Sequence, residues 1–271
     1  MKFLKYRTAV AFLLLWPAVL PAQVMPLTTT SSSELGLEIS NYRYEEVSNG
    51  TFFMANDGNK VGILASFSQA LAGNWFWGAD ARQAHGNVSY SSVGSGSKGN
   101  NPDIITEVRI TGGKDYAIDT QLLAPYFGLG YRELYNDLRG YTTSGSSGYR
   151  RISHYAYVPL GVTHRFRVGP QARFSTSLEY DLLLEGWQQS FLSDVKPASN
   201  DPVNTQRNGY GLRLIANYET LNWSAGAFMN YWSMADSDLS LHTLGGVPAG
   251  LIMEPQNATR ELGITFKLRF N

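Results

Sequence analysis

A chain of 271 residues with 22 basic side chains, 22 acidic ones and no cysteine rules out a disulfide scaffold, a thiolate metal site, a catalytic thiol and a lipid anchor on cysteine. Only 16% of its residues are charged, against about a quarter in soluble domains, while 13% are aromatic and 27 are glycine, a balance that points to an all-β chain. Mean hydropathy is -0.21, and no apolar run reaches the roughly 20 residues that a membrane helix needs, which excludes a polytopic helical membrane protein.

Lys2, Lys5 and Arg7 precede an apolar stretch from Ala9 to Trp16, and Pro17 to Ala22 follows as a turn-prone segment ending on a small residue. This three-part pattern is that of a secretory signal peptide over residues 1–22, cleaved after Ala22. Its loss leaves 19 basic against 22 acidic residues, a balance with no electrostatic footprint for nucleic acid. Residues 23–33 form a polar lead rich in Thr and Ser. Residues 34–271 form the single remaining domain.

From residue 34 onward the chain alternates with period two, the mark of strands with unlike faces. In the last segment Leu262, Ile264, Phe266, Leu268 and Phe270 oppose Glu261, Gly263, Thr265, Lys267 and Arg269. Between Phe174 and Glu185, the residues Phe174, Leu178, Tyr180, Leu182 and Leu184 oppose Ser175, Ser177, Glu179, Asp181 and Glu185. The pattern predicts strands near 34–47, 59–71, 74–91, 103–118, 123–137, 149–166, 171–187, 207–219, 222–236 and 258–270. Tight connections at Leu71–Asn74, Asp119–Leu122, Arg167–Pro170 and Glu219–Leu221 alternate with long polar ones at Ser48–Gly58, Ser92–Pro102, Leu138–Gly148, Gln188–Gln206 and Ser237–Asn257. Such alternation fits a transmembrane up-and-down antiparallel β-barrel of about ten strands, with 8 or 12 as the alternatives, short turns in the periplasm and long loops outside. Trp75, Trp77, Tyr116, Tyr126, Tyr131, Tyr180, Tyr218, Trp223 and Tyr231 are then expected as interfacial girdles.

The closing segment ELGITFKLRF resembles the C-terminal assembly signal of Gram-negative outer-membrane barrels, with Glu261, Gly263, Phe266, Leu268 and Phe270 at the matching positions; Asn271 follows the aromatic on which that family usually ends. PYFGLGYREL at Pro125–Leu134 is similar to strand openings in small barrels of the OmpA and opacity-protein type, with Gly128 and Gly130 facing the lumen. The resemblance implies an outer-membrane location, with outer-membrane lipid and lipopolysaccharide, the barrel-assembly machinery and periplasmic chaperones as partners. No nucleic acid is expected among them.

The inward face carries Glu38, Asp80, Arg82, Glu107, Arg109, Arg132, Arg165, Glu179, Asp181, Arg213, Glu219, Glu261, Lys267 and Arg269. A barrel this narrow leaves little interior space, so these groups are expected to pair across the lumen, because unpaired buried charge is costly. A small-solute pathway is the alternative. Catalysis is not expected. The omptin outer-membrane proteases, which share the strand count, use an aspartate pair and an Asp-x-His pair, and none of the four histidines here follows an aspartate at that spacing. Asp236, Asp238 and His242 are the nearest approach to such a site, and are expected to be solvated loop residues. Ser153 and His154, neighbours in one strand, point to opposite faces. His85 and His164 lack partners, and no motif asks for a metal or cofactor. In the loops, Tyr141–Tyr149 and Gly245–Met253 combine small residues with exposed apolar ones, and the second is apolar enough to fold inward as a constriction, pack on a neighbouring loop or meet a partner.

Overall fold

The computed structural model describes residues 24–48 and 50–270. The signal-peptide expectation for residues 1–22 lies outside the described residues, as do residues 23 and 271. The strands in chain order are β1 (Ser32–Ser48), β2 (Thr51–Ala70), β3 (Trp75–Ser92), β4 (Gly96–Lys114), β5 (Tyr116–Ile118), β6 (Gln121–Tyr141), β7 (Ser147–Gly169), β8 (Ala172–Ser190), β9 (Val203–Gln206), β10 (Gly209–Thr220), β11 (Trp223–Met234), β12 (Ser240–Leu244), β13 (Val247–Ile252) and β14 (Gln256–Phe270).

Ten of these strands close an antiparallel barrel, with the β12–β13 hairpin outside it. Closure is made by β1 against β14, in register from Ser33↔Phe270 to Val47↔Gln256. Short β5 continues the place of β4 beside β6, and short β9 continues that of β10 beside β8. Leu35, Leu37, Ile39, Phe127, Leu129, Leu262, Ile264, Phe266 and Leu268 are all exposed on the outer surface. Their strand neighbours Glu34, Glu38 and Glu261 are buried inside. The exposed apolar residues form a belt around the inner end of the barrel, the end that holds both described termini.

The strands run well past that belt. A membrane strand needs about 9 to 11 residues, whereas β1 has 17 and β7 has 23. Beyond Ile39 the outward positions of β1 become Asn41, Arg43 and Glu45, and Arg43 pairs with Asp57 of β2 at 2.8 Å. Three of the five expected long loops are therefore mostly strand: β1 and β2 meet at a turn near Gly50, β3 and β4 near Val93–Ser95, and β6 and β7 near Thr142–Ser146. Their outward faces carry polar residues, so apolar alternation is weak there while the hydrogen-bonded ladder continues. Only 191–208 and 235–255 remain long connections.

Two further residues differ from expectation. Tyr126 is not part of a girdle: it points into the lumen and its hydroxyl donates to Glu179 at 2.8 Å. Gly161 opposite makes room for it, since a Cβ there would stand 2.3 Å from the Tyr126 ring. An extra residue in β8, Leu184, where Ala156 and Tyr157 of β7 face Glu185 and Leu183, turns Glu185 outward although the alternation expects it inside. The other expected girdle residues Trp75, Trp77, Tyr116, Tyr180, Tyr218 and Trp223 are exposed. Tyr131 stacks with the ring of His154, and Tyr231 packs against Tyr210.

Gly130 is a close-approach position of another kind, because a Cβ there would meet the buried Tyr157 ring at 2.2 Å. Replacing it with valine overpacks the lumen and is expected to destabilise the barrel by about 1 to 3 kcal/mol, with Gly130→Ala costing less. Urea unfolding of refolded protein, followed by tryptophan fluorescence, measures both.

Candidate functional site

Inside the barrel the side chains form layers. At the inner end the polar lead does not hang free: it runs into the mouth. Met25 is buried, and its amide donates to the carbonyl of Pro170 at 2.8 Å. Arg173 donates to the carbonyls of Pro26, Leu27 and Thr28 at 2.7, 3.2 and 3.1 Å. Arg165 reaches Thr29 and Asp115, each at 3.1 Å, and the Thr29 amide donates to Asp115.

Above the lead, Glu34 takes Lys267 at 2.5 Å and Arg269 at 2.6 Å, while Glu219 takes Arg173 at 2.7 Å and Arg269 at 2.9 Å. The next layer joins strands across the lumen. Arg109 meets Glu179 at 2.6 Å and Asp80 at 3.2 Å; Arg213 meets Glu107 at 2.7 Å, Glu179 at 2.9 Å and Asp181 at 3.8 Å. Arg82 bridges Glu38 at 2.7 Å and Glu261 at 2.8 Å. Arg132, wholly buried, has Glu261 at 3.7 Å and lies over the Trp232 ring at 5.5 Å. Two cavities of 120 and 230 Å³ lie among these charges, towards the inner end.

Above the charges an apolar cluster crosses the lumen, with the buried ion pair Lys60–Asp103 set against its Tyr42 ring. Tyr42, Tyr44, Met54, Val88, Ile105, Leu134, Tyr155, Tyr157, Leu183, Trp232 and Met234 form one buried cluster drawn from eight of the ten barrel strands. Tyr155 stacks on Trp232 at 5.7 Å and Tyr157 meets its edge at 5.0 Å. The Tyr157 hydroxyl reaches down to Glu107 at 2.6 Å, tying this plug to the ionic layer.

Outside the plug a cleft of 420 Å³ opens between the outer turns and the two long loops. Its floor holds Glu46 of β1, Arg151 of β7 and Glu254 from the loop before β14. The Tyr44 oxygen lies 2.9 Å from Glu46 Oε1, 2.8 Å from Glu254 Oε1 and 2.8 Å from Arg151 Nη2, which donates to it. Gln188 donates to the other Glu254 oxygen and accepts from Ser153 at 2.8 Å. Burial pushes the Glu254 carboxyl up to about 7; Arg151 opposes this shift and Glu46 adds to it.

All fourteen inward charges expected from the sequence face the lumen side, though Asp80 and Lys267 keep part of their surface in the inner cavities. Glu34, Glu46, Lys60, Asp103, Asp115, Arg151, Arg173 and Glu254 join them, eight residues that sequence reasoning missed. Strand parity carries a signal for Glu34, Glu46 and Lys60, which share the even-numbered inward faces of β1 and β2 with Glu38 and Gly62. Glu254 sits in an irregular segment where parity has no meaning. Asp236, Asp238 and His242 do not converge: Asp236 accepts from the Gln256 amide, Asp238 from the Thr205 amide, and His242 lies 3.3 Å from the Ser199 hydroxyl. Ser153 is buried inside, and His154, on the next residue, faces outward against Tyr131 and Trp187. The stretch Gly245–Met253 forms most of the outer hairpin, packed on the neighbouring loop through Gly245 to Ala198 at 2.8 Å.

No protein-family model and no curated protein matches the chain. Solved structures do. The outer membrane protease OmpT from Escherichia coli aligns with a TM-score of 0.61 at 11% identity, over 89% of this chain and 98% of that one. The toluene transporter TodX of Pseudomonas putida aligns at 0.37 and 9% identity over 89% and 90% of the two chains. The translocator domain of autotransporter NalP from Neisseria meningitidis aligns at 0.37 and 11% over 88% of each. The likeness to OmpT is one of fold: a closed antiparallel barrel.

Removing Glu261 by Glu261→Ala leaves Arg82 and Arg132 short of a counter-charge and is expected to cost about 3 to 5 kcal/mol. Arg43→Ala, which breaks an ion pair on the watery outer face, is expected to cost under about 1 kcal/mol. Urea midpoints of the two refolded variants test the contrast.

Proposed function

We propose that the chain is an integral barrel of the outer membrane that acts as a structural, surface-exposed scaffold and does not conduct solutes. The apolar belt supports membrane insertion, since a surface of this kind suits hydrocarbon and not water. The expected export by residues 1–22, the assembly signal at Glu261–Phe270 and the fold shared with an outer-membrane protease support the outer membrane in particular. Kinship with the OmpA and opacity type rests on residues 125–134 alone.

The plug is the observation that carries the reading. Eleven buried side chains from eight strands meet across the lumen, and an ion entering from the charged layer would have to shed its hydration among them. An enzymatic role is not proposed, because Asp236, Asp238 and His242 are each engaged in separate loop contacts.

Refolded protein in a planar lipid bilayer is expected to give no conductance steps in potassium chloride at either polarity. Reproducible ohmic steps would overturn the reading. In cells the protein is expected to stay with the membrane fraction after a sodium carbonate wash, and its release without detergent would mark a soluble barrel instead.

A further inference from the structure

The segment 235–255 leaves β11 and returns to β14, carrying the β12–β13 hairpin. Its backbone ties go to the other long connection, 191–208, including the short strand β9 at the outer edge of the wall, and among the described residues none goes to β1 or β7. The Asp238 amide donates to Thr205 at 2.9 Å, the Gly245 amide to Ala198 at 2.8 Å, and Asn204 donates to the carbonyls of Asp238 and Ile252 at 2.9 and 3.1 Å. One side chain reaches from this segment into the barrel mouth. Glu254 crosses the edge of the outer cleft and meets three strands at once, through Tyr44 of β1, Arg151 of β7 and Gln188 of β8.

The arrangement at its tip is one positive charge and one hydrogen short. Two carboxyls, Glu46 and Glu254, share a single guanidinium, with Arg151 at 2.5 Å from Glu46 and 3.3 Å from Glu254. Both also touch the Tyr44 oxygen, whose one hydrogen can serve only one of them at a time. A proton held by Glu254 supplies what is missing: it removes one negative charge and lets the carboxyl donate to the Tyr44 oxygen. The other titratable groups lining the cleft do not supply it. Lys98 is turned to Asn101, the Tyr90 hydroxyl lies 2.6 Å from that of Ser95, and Tyr149 brings no positive charge.

We propose that residues 235–255 are a pH-sensitive strap over the outer cleft, latched to the barrel wall by protonated Glu254 and released when Glu46 and Glu254 are both ionised. Like carboxylates in one buried site cannot both ionise without a cost, and the strap, whose backbone is tied only to the 191–208 connection and its strand β9, is held to β1 and β7 by Glu254. The direction follows from the raised pKa. Latching is strongest below the ordinary carboxyl value of 4.5, where Glu254 is neutral whether docked or free, and it is lost as pH rises through about 7.

The absence of cysteine in the chain allows a clean distance measurement. Nitroxide labels on Ala249→Cys in the hairpin and Ser144→Cys in the β6–β7 turn span the cleft, and pulsed electron resonance on the refolded full chain reads their separation. The expected result is one short distance at pH 5, with a longer population appearing towards pH 9 and a midpoint near pH 7. Glu254→Gln and Glu46→Gln, which each leave one carboxyl against Arg151, are both expected to hold the short distance at either pH. An unchanged distribution between pH 5 and pH 9 in the labelled parent would overturn the proposal. So would a shift in Glu254→Gln as large as the parent's.

Discussion

The constraint on which the structure depends is the width of the lumen. Ten strands enclose a space that side chains nearly fill, so an inward residue must be satisfied by other inward residues and not by bulk water. Charges therefore come in shared sets. Arg82 holds Glu38 and Glu261, Arg213 holds Glu107 and Glu179, and Glu219 is held by Arg173 and Arg269. Each set spans more than one strand pair, so it fixes the staves relative to one another as well as neutralising charge. The same lack of space decides where side chains are absent: glycine at 130 and 161 yields the volume that Tyr157 and Tyr126 occupy.

Along each stave the two faces exchange character at one level. On β1 the inner half has Leu35, Leu37 and Ile39 outside with Glu34 and Glu38 inside; past Ser40 it has Asn41, Arg43 and Glu45 outside with Tyr42 and Tyr44 inside. On β6, Phe127 and Leu129 outside give way to Glu133 and Asp137, and the inside passes from Arg132 to Leu134 and Leu138. This inversion is what a change of solvent demands. Where hydrocarbon surrounds the barrel, burying apolar groups inside gains nothing over leaving them in lipid, and the interior can be polar. Where water surrounds it, the hydrophobic effect applies again and draws an apolar core inward. One end of the barrel thus carries the pattern that suits hydrocarbon outside and the other the pattern that suits water outside, and the near-zero mean hydropathy averages the two.

That inversion also sets what could be read without coordinates. The belt halves of the strands were legible because apolar and charged residues alternate strictly there, as in Leu262 to Phe270. The outer ends of β2, β4 and β6, at 51–58, 96–102 and 138–141, looked like loops, because polar and small residues there mask the alternation, whereas β1 and β3 were read to nearly their full length. The outward turn of Glu185 was hidden because β8 takes one extra residue, Leu184, against β7, and strict alternation does not anticipate a bulge. Glu254 and the lead at 25–29 act through contacts more than 60 residues away in sequence. Period-two reasoning has no access to such contacts.

The two closures of the lumen differ in kind, and this bears on where function can lie. The plug is made of strand residues with interlocked rings, so opening it would mean deforming the barrel wall. The inner mouth is closed by a lead held mainly through its carbonyls and Thr29, on Arg173, Arg165 and Asp115, contacts that can be exchanged for water one at a time. Motion at the inner end therefore reaches only the two charged cavities and stops at Trp232 and Tyr157. At the outer end the cleft is bounded by loops on one side and the same plug beneath. A molecule arriving from outside meets a floor of Glu46, Arg151 and Glu254 on a rigid base, and its binding has no open route to the inner side. The ionic layers below that floor hold its supporting strands in place.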